Sequence, residues 1–214
     1  MESTQQASDL TGITIPRKLS IPPSSHIQQI HSIVDDLSQE IIFRGAGSDL
    51  FRRLVGGVVY IFTSDSFGSG AIIDPGGLVI TNWHVVEGQK TAGVVLRNKG
   101  VGVKKVRTFI GRVIKQNKKN DLALLKIEGM PSDVTVLPLG HMSEIEVGTE
   151  VHAIGHPEGE NWTYTTGAIG QIRPGYTWSY DESFEHEATV IQSQTPINPG
   201  NSGGPLFSNR GNIV

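Results

Sequence analysis

From Leu54 onward the apolar residues come in short runs: "LVGGVVYIFT", "GSGAIIDPGGLVITN", "TAGVVLR", "VRTFIGRVIK", "DLALLKI" and "TEVHAIGH". Valine, isoleucine and aromatic residues dominate them, which suits a pleated, half-buried surface. Turn chemistry separates them, as in "DPGG" and "RNKG", where glycine, proline and asparagine supply the backbone angles that tight turns need. No long amphipathic helix alternates with these runs, which argues against a parallel α/β sheet. The choice narrows to antiparallel barrels or a sandwich. Glycine supports this: 26 of 214 residues is about 12%, against an average near 7%. The junction "LPLG" at 137–140 divides the runs into two successive β units.

Ahead of them the period is different. Residues 1–24 are polar with scattered prolines and read as a flexible leader. Ile27, Ile30, Val34, Leu37 and Ile41 then fall on one face of a helix expected over residues 25–45, with Ser24 or Ser25 as its cap. That helix is expected to pack on the body of the protein, with oligomer contacts as the alternative. The first β-barrel is expected over residues 46–138 and the second over 139–214.

Bulk composition excludes several classes. Cysteine is absent, so disulfides, thiolate catalysis and Cys-based zinc sites are out. With a net charge of -3, and "KQNKK" at 115–119 a short basic run that reads as a solvated loop, nucleic acid is not an expected partner. No apolar run approaches the ~18 residues of a membrane span. The amino terminus "MESTQQASDLTGITIPRK" has no basic start followed by an apolar run, so a cytoplasmic protein is expected by default.

The chemistry concentrates in "TPINPGNSGGPLF", residues 195–207. Ser202 lies among residues with almost no side chain, which lets the backbone approach a substrate. A serine hydroxyl needs a base beside it, usually histidine, and a third group to orient that base. His84 in "VITNWHVVEG" sits at a strand end and is the base candidate. Asp121 in "KNDLALLKI" opens an apolar strand, and a carboxylate buried there needs a partner. Gly200 can adopt backbone angles closed to other residues, so its N–H and that of Ser202 can point into one small cavity and receive an oxyanion. Singly, each residue has a plain reading: a glycine-rich turn, a surface histidine, a strand with a polar start. In the order His, Asp, Ser, each on a different loop of a two-unit β protein, they form a specific set.

"GSGAIIDPGGLVITNWHVVEG", "NDLALLKIEG" and "INPGNSGGPLF" resemble the active-site blocks of trypsin-like serine proteases, above all the bacterial HtrA/Deg-type branch. "VGTEVHAIGHPEGENWTYTTGAIGQI" is similar to that branch's first strands after the crossover between barrels. The resemblance covers roughly residues 54–214. It implies an all-β fold of two antiparallel six-stranded barrels with the active site between them. It implies His84 as general base, Asp121 as orienting acid, Ser202 as nucleophile, and Gly200 and Ser202 as oxyanion donors. The implied function is a serine endopeptidase acting on polypeptides through an acyl-enzyme, with no cofactor or metal. The alternative is a non-catalytic, protease-like domain that binds peptides or partners; an esterase using the same three residues is a further one.

The chain departs from the family at "SNRGNIV", where a strand that lines the specificity pocket would continue. The second barrel is therefore expected to be incomplete, the sequence reading as a piece of a longer one, with a truncated relative as the alternative. His152 and His156, with Glu158, could suggest a metal, but residues four apart on a strand stand about 13 Å apart, so none is expected. "DESFEHE" at 181–187 reads as an exposed hairpin loop, and in HtrA-type relatives a loop near here can be regulatory.

Overall fold

Alternating apolar residues set the inward face of several barrel strands. In the strand Thr91–Arg97 it is Ala92, Val94 and Leu96 that are buried, and in Leu122–Ile127 it is Ala123, Leu125 and Ile127. The computed structural model describes residues 46–97, 106–157, 162–181 and 184–214. The expected leader (1–24), the expected helix (25–45) and Glu158 lie outside the described residues.

Six antiparallel strands close into a barrel: β1 (Val58–Phe62), β2 (Phe67–Asp74), β3 (Leu78–Thr81), β4 (Thr91–Arg97), β5 (Val106–Asn117) and β6 (Leu122–Ile127). Their order is β1-β2-β3-β6-β5-β4, and β1 pairs with both β2 and β4, so no edge is left open. Val59, Ile61, Ile72, Val79, Leu125 and Ile127 fill the interior with no exposed surface. Each such side chain contributes about 1.5–3 kcal/mol by leaving water.

The second unit departs from the expected six-stranded barrel. Among the described residues it is a four-stranded antiparallel sheet, ordered β10-β7-β8-β9, built from β7 (Glu150–Gly155), β8 (Thr163–Trp178), β9 (His186–Ser193) and β10 (Leu206–Ser208). Its small core of Ile145, Val151 and Ile169 packs against Leu206 and Val214.

A helix, α1 (Ala46–Leu54), occupies the start of the segment expected to belong to the first barrel. Leu50 and Leu54, one turn apart, are its buried contacts, and Asp49 near its start with Arg52 and Arg53 near its end suits the helix dipole. Nine residues with two buried positions are too few for their period to stand out. Leu50 and Leu54 join Val58, Ala71, Leu137, Ile154, Trp162 and Phe207 in one core that spans α1, the barrel and the second sheet. The Trp162 indole N–H donates to the Val58 carbonyl at 2.8 Å and fixes that junction. His186, expected in an exposed loop, is instead buried at the start of β9. The rings of Trp83, Trp178, Tyr180 and Phe184 surround it.

Candidate active site

His84 leaves the barrel end just after β3, on a short turn (His84–Val86) whose next two residues, Val85 and Val86, are buried in the barrel core. Those anchors hold the imidazole at the rim. Asp121 precedes β6 in a left-handed conformation, φ 53°, and is only 2% exposed. A buried carboxylate must find donors, and Asp121 has three. The His84 backbone N–H donates to Oδ1 at 2.9 Å, His84 Nδ1 donates to Oδ2 at 2.8 Å, and the Tyr180 hydroxyl donates to Oδ2 at 2.8 Å. Burial works to raise the Asp121 pKa. The hydrogen bonds from His84 and Tyr180, with the electrostatic pull of the His84 side chain, outweigh it and hold the carboxyl below its ordinary range. A carboxylate oxygen can only accept, so Nδ1 carries a proton, and in the neutral ring Nε2 then keeps its lone pair.

Ser202 sits on a turn that is hooked to the first barrel at three points. Ser69 N–H donates to the Ser202 carbonyl at 2.7 Å, Ser69 Oγ donates to the Gly200 carbonyl at 2.8 Å, and Gly203 N–H donates to Asn82 Oδ1 at 2.5 Å. Gly203 has φ 79°, and a Cβ there would lie 2.1 Å from Thr81 Oγ1 and 2.4 Å from the Ser69 carbonyl, so the position admits glycine alone. Asn82 also donates through Nδ2 to the Asp121 carbonyl at 2.7 Å. One amide side chain therefore ties the Asp121 loop to the Ser202 turn. Among the described residues, His84 hydrogen-bonds to Asp121 and makes no hydrogen bond to Ser202. Gly200 has φ 98°, and among the described residues neither its N–H nor that of Ser202 donates to another group.

The β8–β9 hairpin clasps the turn that leads into Asp121. His186 Nδ1 donates to the Lys118 carbonyl at 2.7 Å, Glu187 N–H to the Lys119 carbonyl at 2.8 Å, and Asn120 Nδ2 to the Glu187 carbonyl at 2.7 Å. Burial and the hydrogen bond to Asp121 push the Tyr180 phenol up to about 12, so it stays a donor at neutral pH. A cleft of about 280 Å³ opens beside His84, lined by Trp83, Glu87, Lys118, Tyr180 and Phe184 among others. The Lys118 ammonium stands 4.6 Å from the Trp83 ring centre and 4.5 Å from that of Phe184.

Of the residues singled out in the sequence, His84 and Asp121 are in direct contact, and Gly200 and Ser202 share the turn that Asn82 links to them. Asn82, Ser69 and Tyr180 escape sequence reasoning. Only Asn82, two positions before His84, has a local signal: a polar residue closing an apolar strand. Among the described residues no cluster of three or more His, Asp or Glu is arranged for a metal ion. His152 bonds Tyr164 Oη at 2.7 Å and Asn209 Oδ1 at 2.6 Å, whereas His156 turns to Ser69.

His156 makes the fold acid-sensitive. Burial lowers its pKa to about 4, against ~6.5 in an unfolded chain. Above pH ~6.5 it is neutral in both states. As pH falls from there towards 4, the unfolded chain takes up a proton that the folded one refuses, so stability declines by roughly 3 kcal/mol in all. The stability gap between wild type and His156→Asn, from urea midpoints, is expected to narrow by about that amount between pH 7 and pH 4. A constant gap would contradict the assignment.

The pattern of matches to known proteins agrees with this geometry. The trypsin-like peptidase domain family matches residues 68–214, and the chain belongs to that family. It is 40% identical over 147 residues to the putative serine protease HhoA of Synechocystis sp., covering 69% of this chain and 35% of that protein. It is 34% identical over 216 residues to a probable periplasmic serine endoprotease, DegP-like, of Hahella chejuensis, covering 96% of this chain and 41% of that protein. The chain thus spans well under half the length of these relatives. The crystal structure of Deg5 superimposes with a TM-score of 0.67 at 30% identity, covering 79% of this chain and 82% of that one. The cytoplasmic expectation is corrected here, because the DegP-like relatives are named as periplasmic proteins. A missing signal-like segment does not fix a compartment, and a chain without cysteine has no thiol to lose in an oxidising one.

Proposed function

We propose that the protein is a serine endopeptidase of the HtrA/Deg type that works outside the cytoplasm. The observation that carries this reading is the buried Asp121 carboxylate, which holds His84 through Nδ1 while Asn82 ties the same loop to the Ser202 turn. Ser202 Oγ attacks the peptide carbonyl and His84 Nε2 takes its proton. The N–H groups of Gly200 and Ser202 receive the oxyanion. His84 then gives the proton to the leaving amine, and a water molecule repeats the attack on the ester with His84 again as base. Asp121 stays ionised and steadies the imidazolium as it forms. No residue in this scheme calls for a cofactor.

Residues 46–138 and 139–214 are read as the two β units of the family, the second as part of a six-stranded barrel. Oligomers formed through residues 25–45 belong to the same reading. The test is cleavage of an unfolded protein such as casein by the full-length protein, alongside hydrolysis of a simple ester. Peptide cleavage that disappears in the Ser202→Ala variant supports the proposal. Ester cleavage without peptide cleavage points to an esterase, and neither activity in the folded protein points to a binding domain.

A further inference from the structure

Two buried side chains behind the Ser202 turn have no role in the scheme above: Ser69 on β2, and His156 just past β7. Both are fully buried, at 0% exposure. Ser69 Oγ lies 2.8 Å from the Gly200 carbonyl, 3.1 Å from the His156 backbone nitrogen and 3.0 Å from His156 Nδ1. A hydroxyl has one proton to give and two lone pairs to accept with. The Gly200 carbonyl can only accept, so it takes the proton. The His156 backbone N–H occupies one lone pair. His156 Nδ1 must then carry a proton and donate into the other. This fixes the Nδ1–H tautomer and uses the whole capacity of the hydroxyl. It leaves Nε2 as a bare lone pair, buried and without a partner among the described residues. The Tyr60 and Trp162 rings lie against the imidazole, with centres 5.3 and 4.9 Å away.

The group held by this arrangement is the peptide between Gly200 and Asn201, which lies between the two N–H donors of the turn. Rotating that peptide would redirect the chain on both sides of it, and the donors with it. The turn is also seated on backbone: a Cβ at Gly200 would fall 2.2 Å from the His156 carbonyl oxygen. The contact crosses from one β unit to the other, since Ser69 belongs to the barrel and His156 and Gly200 to the second unit.

We infer that Ser69 and His156 are positioning residues for the oxyanion site, His156 orienting the Ser69 hydroxyl so that it pins the Gly200 carbonyl inward and keeps the Gly200 and Ser202 N–H groups convergent. This rests on the endopeptidase reading. Losing one oxyanion donor outright lowers kcat by about 10²–10³-fold, so displacing both part-way in Ser69→Ala is expected to lower kcat by at least about tenfold, with KM within about twofold. Affinity for a peptidyl boronate, which mimics the tetrahedral intermediate, should weaken by the same factor as kcat/KM. A merely structural role would lower the unfolding midpoint and leave both unchanged. His156→Phe, which keeps the ring and removes the Nδ1 donor, should shift both quantities in the same direction by a smaller factor. Should Ser69→Ala fail to fold, nitrogen NMR of histidine-labelled wild type still decides: Nδ1 protonated and Nε2 bare supports the inference, and the opposite tautomer overturns it. Wild type that does not react with a fluorophosphonate overturns the peptidase reading and this inference with it. Reactive wild type whose folded variants react equally fast and bind boronate equally well overturns the inference alone.

Discussion

Replacing Ser202 with alanine is expected to lower kcat on a peptide substrate by about 10⁴-fold or more, with the fold intact. The hydroxyl is the atom that forms the acyl bond in the proposed reaction, and nothing else on the turn can stand in for it. The side chain is only half-buried, and the contacts that hold the turn come from its backbone and its neighbours: the Ser202 carbonyl, the Gly200 carbonyl and the Gly203 N–H. Alanine keeps all three, so the unfolding midpoint should stay close to that of wild type. Members of such a set act as a unit, so adding His84→Ala to Ser202→Ala should lower the rate little further. Steady-state kinetics on the single and double variants, purified alike, would check this. A Ser202→Ala enzyme within tenfold of wild type would remove Ser202 from the mechanism.

The second large effect is expected at Asp121. Asp121→Asn preserves the shape of the side chain and should still lower kcat by about 10⁴-fold, because it reverses the imidazole. Asp121 accepts from the His84 backbone, from His84 Nδ1 and from the Tyr180 hydroxyl. An asparagine has one oxygen and one NH₂ to offer in the same places. With the oxygen kept opposite the His84 backbone N–H, the NH₂ faces Nδ1, which must then accept. The imidazole proton moves to Nε2, and the nitrogen that should take the serine proton no longer can. The opposite orientation of the amide sets NH₂ against a backbone N–H and is worse. The loss should appear in kcat with KM nearly unchanged, since the amide touches no substrate atom. Kinetics with wild-type affinity for a substrate-like peptide and a retained rate would contradict this assignment.

What could be read from the sequence depended on how local its cause was. β3, β4 and β6 alternate buried and less buried residues, and the other strands of the first barrel and β7 are β-type apolar runs next to turn residues, so each was visible without knowing its partner. β8 was harder, because Pro174 and Gly175 interrupt its pattern where its register against β9 shifts, between Arg173 and Tyr176. The helix α1 has too few buried positions to announce itself, and the buried place of His186 depends on four aromatic rings, among them Trp83 from the first barrel. The same rule divides the site. His84, Asp121, Gly200 and Ser202 were legible because their chemistry is rare in combination. Ser69 and His156 were not, because they meet across 87 residues of chain, and Tyr180 reaches Asp121 across 59. A serine between two glycines, or a histidine near a strand end, has no local mark that tells which carbonyl it will hold.

Ser202 owes its reactivity in this scheme to the histidine that Asp121 holds. Labelling of the full-length protein with a fluorophosphonate, followed by intact-mass measurement and peptide mapping, reads out that reactivity at a single residue. One phosphonyl group per chain is expected, located on Ser202, and it should be lost in the His84→Ala variant. A folded protein that takes up no label, or takes it up on another residue, would rule out Ser202 as the activated nucleophile.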